Sequence, residues 1–123
     1  MASESAVRIK RVYEPADVAD GRRVLVDRLW PRGLTKAAAA VYDWLREVAP
    51  SPELRRWWDH DPDRMDEFAR RYRAELAGNP AVETLLEEAR AGTVTLLFAA
   101  RDERVNHATV LAELLQERLR REA

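Results

Sequence analysis

Three stretches of the chain have the hydrophobic pattern of β-strands. Residues 7–12 alternate apolar and charged side chains, as a half-buried strand does. In residues 23–29 three consecutive apolar side chains follow Arg23, and residues 93–99 are apolar or β-branched throughout. An unbroken apolar run is typical of a strand in a parallel sheet that is covered on both faces. The second and third stretches are therefore predicted to be inner strands.

Helix start signals divide most of the remaining chain. A capping oxygen before a helix satisfies free backbone N–H groups, and proline fits the first helical position. Thr35 precedes an Ala-rich segment, which predicts a helix from Lys36 onward. Further helices are predicted to start at Ser51-Pro52, at Asp61-Pro62 or Asp63, at Asn79-Pro80, and after Asn106.

Strands separated by helices indicate the α/β class. We expect a small, mainly parallel sheet with right-handed crossovers, covered by helices on both faces, in a single compact domain. Residues 7–121 are assigned to this domain and residues 1–6 to a disordered N-terminus. With 123 residues the chain can bury roughly two thirds of its unfolded surface.

Composition excludes several kinds of chemistry. The absence of cysteine excludes disulfides, thiolate nucleophiles and Cys-ligated metal clusters. The chain has two histidines, and His60 lies beside Asp59 and Asp61, but adjacent residues at a helix end do not converge on one ion. There is no Gly-rich phosphate loop, nucleophile elbow or His-Glu-x-x-His motif. We therefore expect neither a metal nor another cofactor.

Hydropathy and charge indicate the cellular setting and the type of ligand. No run of about 18 apolar residues is present, so we expect a protein that does not enter the membrane. Residues 1–7 lack the apolar core of a signal peptide and the chain has no cysteine, so we expect it in the cytoplasm. The net charge is −1, but residues 1–36 carry eight Arg or Lys against five acids. Of the 21 cationic residues 19 are arginine, whose planar guanidinium binds phosphate or carboxylate bidentately. Converging arginines would favour an anionic ligand.

Residues 27–33 and residues 100–107 are the two segments expected at the edge where ligands of parallel sheets bind, beyond the carboxyl ends of the strands. The catalytic candidates there are Asp27 and His107. The ring of His107 lies in the first turn of a helix, whose dipole favours the neutral form. The proposed ligand-binding residues are Arg28, Trp30, Arg32, Arg101 and Asn106.

Each candidate also has a purely structural interpretation. Asn106 can act only as a helix cap, and His107 or Trp30 can simply pack in the core. Asp27 can form a structural ion pair with Arg32 or Arg101. Strand alternation also places Asp27 and Arg28 on opposite faces while the strand stays regular.

Four strings of residues stand out along the chain, in this order: Arg22-Arg23-Val24-Leu25-Val26-Asp27-Arg28-Leu29-Trp30-Pro31-Arg32-Gly33, Pro50-Ser51-Pro52-Glu53-Leu54-Arg55, Phe68-x-x-x-Tyr72-x-x-Glu75-Leu76, and Leu96-Leu97-Phe98-Ala99-Ala100-Arg101-Asp102 with Asn106-His107-Ala108. They resemble the YeaO-like family, a bacterial domain of unknown function. The resemblance covers roughly residues 7–117 and implies a compact α/β protein without an established activity. Relatives typically have lysine where this chain has Arg101, which disfavours Schiff-base chemistry here but not anion binding. Larger relatives place a cysteine near the Asn106-His107 turn, and this chain has none.

Three functions are compatible with these residues. The first is binding of a small phosphate or carboxylate compound, including a nucleotide, with or without catalysis. The second is a nucleic-acid-associated module in which the basic N-terminal third contacts phosphates and Trp30 or Trp57 stacks on bases. The third is a non-catalytic binding or regulatory protein. The sequence leaves oligomeric state, and whether the protein is an enzyme, open.

Overall fold

The sheet contains four parallel strands in the order β1-β4-β2-β3. A computed structural model of the chain describes residues 6–122. Of the N-terminus that we expect to be disordered, residues 1–5 lie outside the described residues. The α/β class and the parallel sheet predicted from the sequence are confirmed. The strands are β1 (Val7–Arg11), β2 (Arg22–Leu25), β3 (Asp43–Trp44) and β4 (Val94–Phe98).

The helices begin where the capping signals predict them. Thr35, Ser51 and Asn79 each accept a backbone N–H in the first turn of the helix that follows. Asp61 caps the short 3-10 turn Pro62–Arg64, which leads into the third helix. The helices are α1 (Lys36–Ala39), α2 (Pro52–Trp58), α3 (Met65–Leu76), α4 (Pro80–Ala91) and α5 (His107–Glu122).

The main core lies between one face of the sheet and helices α2 to α5. Trp58 of α2 stacks on Phe68 of α3, with ring centroids 3.8 Å apart, and Phe68 stacks on Tyr72 at 5.5 Å. Leu96 and Phe98 of β4 are buried against this layer. Because α3 to α5 have apolar stripes at helical spacing, they can cover this face without exposing large side chains.

The opposite face has a much thinner cover. Its apolar cluster consists of Val12, Leu25, Ala39 and Leu97, with Trp30 and Trp44 among the partly buried neighbours. Helix α1 begins at Lys36 as predicted but contains four residues and ends at Ala40, which has a left-handed conformation with φ 50°. Helices therefore lie on both faces of the sheet, but α2 to α5 cover one face and only the short α1 covers the other.

A buried polar cluster anchors α1 to the sheet. The guanidinium of Arg23 donates hydrogen bonds to the carbonyl of Ala39 at 2.9 and 3.1 Å. It also donates to the Asp20 carboxylate at 2.7 Å, which Lys10 Nζ approaches at 3.0 Å. These charge-assisted hydrogen bonds attach the short helix α1 to the sheet, whereas a longer helix would be held mainly by apolar contacts. In residues 6–122 no helix combines the length and apolar character that a membrane span requires.

Candidate functional site

The chain segments that follow β2 and β4 open on the same edge of the sheet. Val26 continues the pairing of β2, since its N–H donates to Leu97 O at 3.1 Å. One residue further, the Asp27 carboxylate accepts a hydrogen bond from Ala99 N at 3.1 Å. The two segments that we expected to form a site are therefore neighbours.

A cleft of about 270 Å³ lies between these two segments and the start of α2 and α5. Its apolar lining residues are Leu29, Ala49, Pro50, Ala99 and Ala100. The polar groups that line it are Asp27, Arg28, Arg55, His60 and His107. A small number of polar groups that converge beside apolar side chains is typical of small-molecule sites.

His107, the first residue of α5, contacts the end of β2. Its Nε2 lies 3.0 Å from Val26 O and 3.3 Å from Asp27 Oδ1. Because a carbonyl oxygen only accepts, Nε2 must carry the hydrogen. Burial lowers the pKa of His107, although the charge of Asp27 acts in the opposite direction. Burial therefore favours the neutral ring.

Arg28 enters the same cleft from the residue after Asp27. Its Nη2 donates to Pro50 O at 3.1 Å, but its buried Nε has no hydrogen-bond partner among the described residues. Strand alternation no longer separates the two side chains, because β2 ends at Leu25. The indole N–H of Trp44 donates to Asp27 O at 2.8 Å and holds the chain in this bend.

Arg55 and His60 come from α2 and the turn after it, which the sequence analysis did not assign to the site. The carboxylate of Glu75 fixes the start of α2, since it accepts hydrogen bonds from Ser51 N at 2.9 Å and Ser51 Oγ at 2.6 Å. The family-like string that ends in Arg55 was a signal for this residue. Nothing in the local sequence indicated that His60 would face the cleft.

The turn that carries His60 has an unusual backbone. Asp59 and His60 are both in the left-handed region, with φ of 51° and 53°. Such conformations are costly for residues other than glycine and often occur at functional sites. His60 also packs on Trp58, with ring centroids 4.9 Å apart.

A second cavity of about 290 Å³ adjoins the cleft along α2. It shares Pro50, Arg55, His60 and His107 with the cleft, and Arg56 and Asp59 add charged groups to it. The two hollows therefore offer room for a ligand larger than a single anion.

Four of the predicted site residues do not line the cleft. Arg32 and Arg101 are exposed at the surface. The indole N–H of Trp30 donates to Leu34 O at 2.6 Å and its ring packs 5.5 Å from Trp44, so this side chain belongs to the thin core. Asn106 is fully buried and accepts a hydrogen bond from Thr109 N at 2.9 Å, as a cap of α5. Trp30 and Asn106 thus have the contacts of a partly buried core side chain and of a helix cap.

The other sites considered from the sequence receive less support. Within residues 6–122 no group of three or more His, Asp or Glu side chains is placed to hold a metal ion. Trp57, a candidate for base stacking, has the guanidinium of Arg71 at 4.2 Å and that of Arg64 at 5.2 Å from its ring centroid. Its ring is therefore already in contact with two cations.

Comparison with known proteins supports one family assignment. The family model described as "Inactive DUF488-N3 subclade" matches residues 6–123. The chain is 48% identical over 118 residues to uncharacterised proteins of Mycobacterium tuberculosis and Mycobacterium bovis, covering 96% of this chain and 100% of each relative. It is 41% identical over 111 residues to the uncharacterised protein YeaO of Escherichia coli, covering 89% of this chain and 96% of that protein, which confirms the resemblance drawn from the motifs. No solved structure matches the chain.

Proposed function

This chain belongs to the family described as the inactive DUF488-N3 subclade, and we propose that it binds a small anionic compound without transforming it. The proposed site is the cleft at the carboxyl ends of β2 and β4. A phosphate or carboxylate group would bind between Arg28 and Arg55, with His60 at the rim.

The observation that carries this proposal is the unpartnered Nε of Arg28. The guanidinium is held by Pro50 O through Nη2, while Nε is buried beside the cleft without an acceptor among the described residues. A buried donor without a partner costs about 1–3 kcal/mol, and an anion in the cleft would remove that cost. Arg55 adds a second guanidinium, so the anion could be bound by two cations.

Two observations favour binding without catalysis. The Nε2–H group of His107 is directed at Val26 O, so this nitrogen is not free to accept a proton from a ligand. Asp27 uses one carboxylate oxygen to accept the N–H of Ala99. One atom of each member of the predicted proton-transfer pair is thus bound to backbone, and the word "inactive" in the family description agrees with this interpretation.

Isothermal titration with inorganic phosphate and with propionate tests the site. Arg55→Ala is expected to weaken binding by at least about tenfold, because a charge-assisted hydrogen bond is lost. Arg101→Ala is the matched control, since it removes an exposed arginine outside the cleft and should leave binding unchanged. Equal effects of the two variants, or no effect of Arg55→Ala, would show that the anion does not bind in this cleft.

Two further measurements separate the alternatives. Incubation with glycerol 3-phosphate, followed by ³¹P NMR, should show no new resonance, and the appearance of product would establish an enzyme instead. Binding of a single-stranded oligonucleotide that weakens steeply with salt would favour the nucleic-acid alternative, because several phosphates would be neutralised.

A further inference from the structure

We infer that the compound bound in this cleft carries a hydroxyl group close to its anionic group, and that Asp27 recognises this hydroxyl. The ligand class is therefore a hydroxylated anion, such as a hydroxy acid or a sugar phosphate. This inference rests on the proposed function, because Asp27 can recognise the hydroxyl only when Arg28 and Arg55 bind the anionic group of the same compound.

The carboxylate of Asp27 has one occupied and one free oxygen. Its Oδ2 accepts the hydrogen bond of Ala99 N at 3.1 Å. Its Oδ1 is buried and accepts no hydrogen bond from the described residues. Nε2 of His107 lies 3.3 Å from this oxygen, but its shorter contact, at 3.0 Å, is with Val26 O.

The free oxygen cannot easily find another partner by moving. The backbone of Asp27 is held by the indole N–H of Trp44, and its side chain is held by Ala99 N. A buried carboxylate oxygen without a donor is costly, so the position favours a ligand that supplies one.

Asp27 and Arg28 together determine what the ligand must offer. They are consecutive, they both line the cleft, and each has one buried polar atom without a hydrogen-bond partner among the described residues, an acceptor and a donor respectively. A simple anion would satisfy Arg28 but would be repelled by Asp27. A hydroxyl beside the anionic group changes that repulsion into a hydrogen bond. A neutral hydroxyl suits the site better than an ammonium group, because Arg28 and Arg55 would repel a second cation.

Matched pairs of compounds that differ by hydroxyl groups test the inference by isothermal titration. L-lactate is compared with propionate, and glycerol 3-phosphate with propyl phosphate. The hydroxylated member of at least one pair should bind about tenfold more tightly, the effect of one hydrogen bond to a charged group. The pair with the larger preference identifies whether the anion is a carboxylate or a phosphate.

Asp27→Asn separates hydroxyl recognition from anion binding. The amide oxygen can keep the hydrogen bond of Ala99 N, and the amide NH₂ then replaces the free acceptor by a donor. The preference for the hydroxylated member should shrink, because a hydroxyl bonds a neutral amide more weakly than a carboxylate, while propionate or propyl phosphate should bind at least as well as before. Asp63→Asn, on an exposed turn outside the cleft, is the control and should keep the preference.

The outcomes distinguish the two proposals. Equal affinity of the wild-type protein for both members of each pair would overturn hydroxyl recognition but leave anion binding in place. Failure of the wild-type protein to bind any of the four compounds or inorganic phosphate would overturn anion binding and this inference together. A preference of unchanged size in Asp27→Asn would also overturn the role of Asp27. If that variant does not fold, the wild-type comparison still decides.

Discussion

Replacing Asp20 by asparagine should destabilise the protein through the cluster that anchors α1. The Asp20 side chain is 7% exposed and lies between Arg23, which is 4% exposed, and Lys10, which is 18% exposed. The variant keeps a side chain of the same shape but removes the negative charge that both cations face. Arg23 would then be a buried cation whose remaining acceptors are the carbonyls of Ala39 and Glu14.

The expected loss can be estimated from this burial. Removing one member of a buried ion pair typically costs 3–5 kcal/mol, since the other charge stays desolvated. Asparagine can still accept one hydrogen bond, so we expect a loss of about 3 kcal/mol in the free energy of unfolding. For a chain of this length that corresponds to a fall of about 10 °C in melting temperature.

Urea unfolding followed by tryptophan fluorescence measures the effect, since the chain has four tryptophans. The control is Glu67→Gln, which removes a charge that pairs with Arg70 and Arg71 at the surface and should change the midpoint only slightly. A loss below about 1 kcal/mol for Asp20→Asn, or one no larger than that of the control, would refute the anchoring role of the cluster.

The pH dependence provides a second check on Asp20. Burial alone would raise the pKa of Asp20, but hydrogen bonds from Arg23, Asp17 N and Lys10 more than offset it and lower the pKa below 3.8. A carboxyl whose pKa is lowered by folding stabilises the protein above its unfolded pKa, and this contribution is lost as the pH falls through the folded pKa. The difference between wild type and variant should therefore be constant above about pH 5 and shrink below about pH 4.

Two other predictions concern the backbone and the cleft. Gly21→Ala should lower the free energy of unfolding by at least about 2 kcal/mol, because Gly21 has φ +62° and an added Cβ would lie 2.2 Å from Thr93 O. The control is Gly78→Ala, at φ +75° with no atom within 4 Å of the added Cβ. Urea unfolding should show a loss of only about 1 kcal/mol for this control. The pKa of His107, followed by NMR titration, should lie below 6.5, because burial disfavours the imidazolium. Since folding lowers this pKa, stability should fall as the pH drops from about 6.5 towards the folded pKa, and a His107 pKa at or above 6.5 would contradict the burial argument.

Elements that depend on local pattern were predicted well. The apolar run of β4 and the capping residues of α2, α4 and α5 gave these elements close to their observed positions. Strand β3 was not predicted, because a strand of two residues is too short to show a hydrophobic pattern. It is a strand only because it pairs with β2 in the folded chain. The length of α1 was not predicted either, since it ends at Ala40 in a conformation that the Ala-rich segment does not signal.

The sequence by itself determined the parallel α/β fold and the edge of the sheet at which the cleft lies. Periodicity and caps are local properties that locate the strands and helices, and strands separated by helices run parallel, so that their carboxyl ends meet at one edge. It could not select which arginines face the cleft. Arg28 and Arg55 do so, while Arg32 and Arg101 do not. That choice depends on contacts between residues distant in the chain, such as Arg28 with Pro50 O and Glu75 with Ser51, which fix the direction of side chains only when the chain has folded.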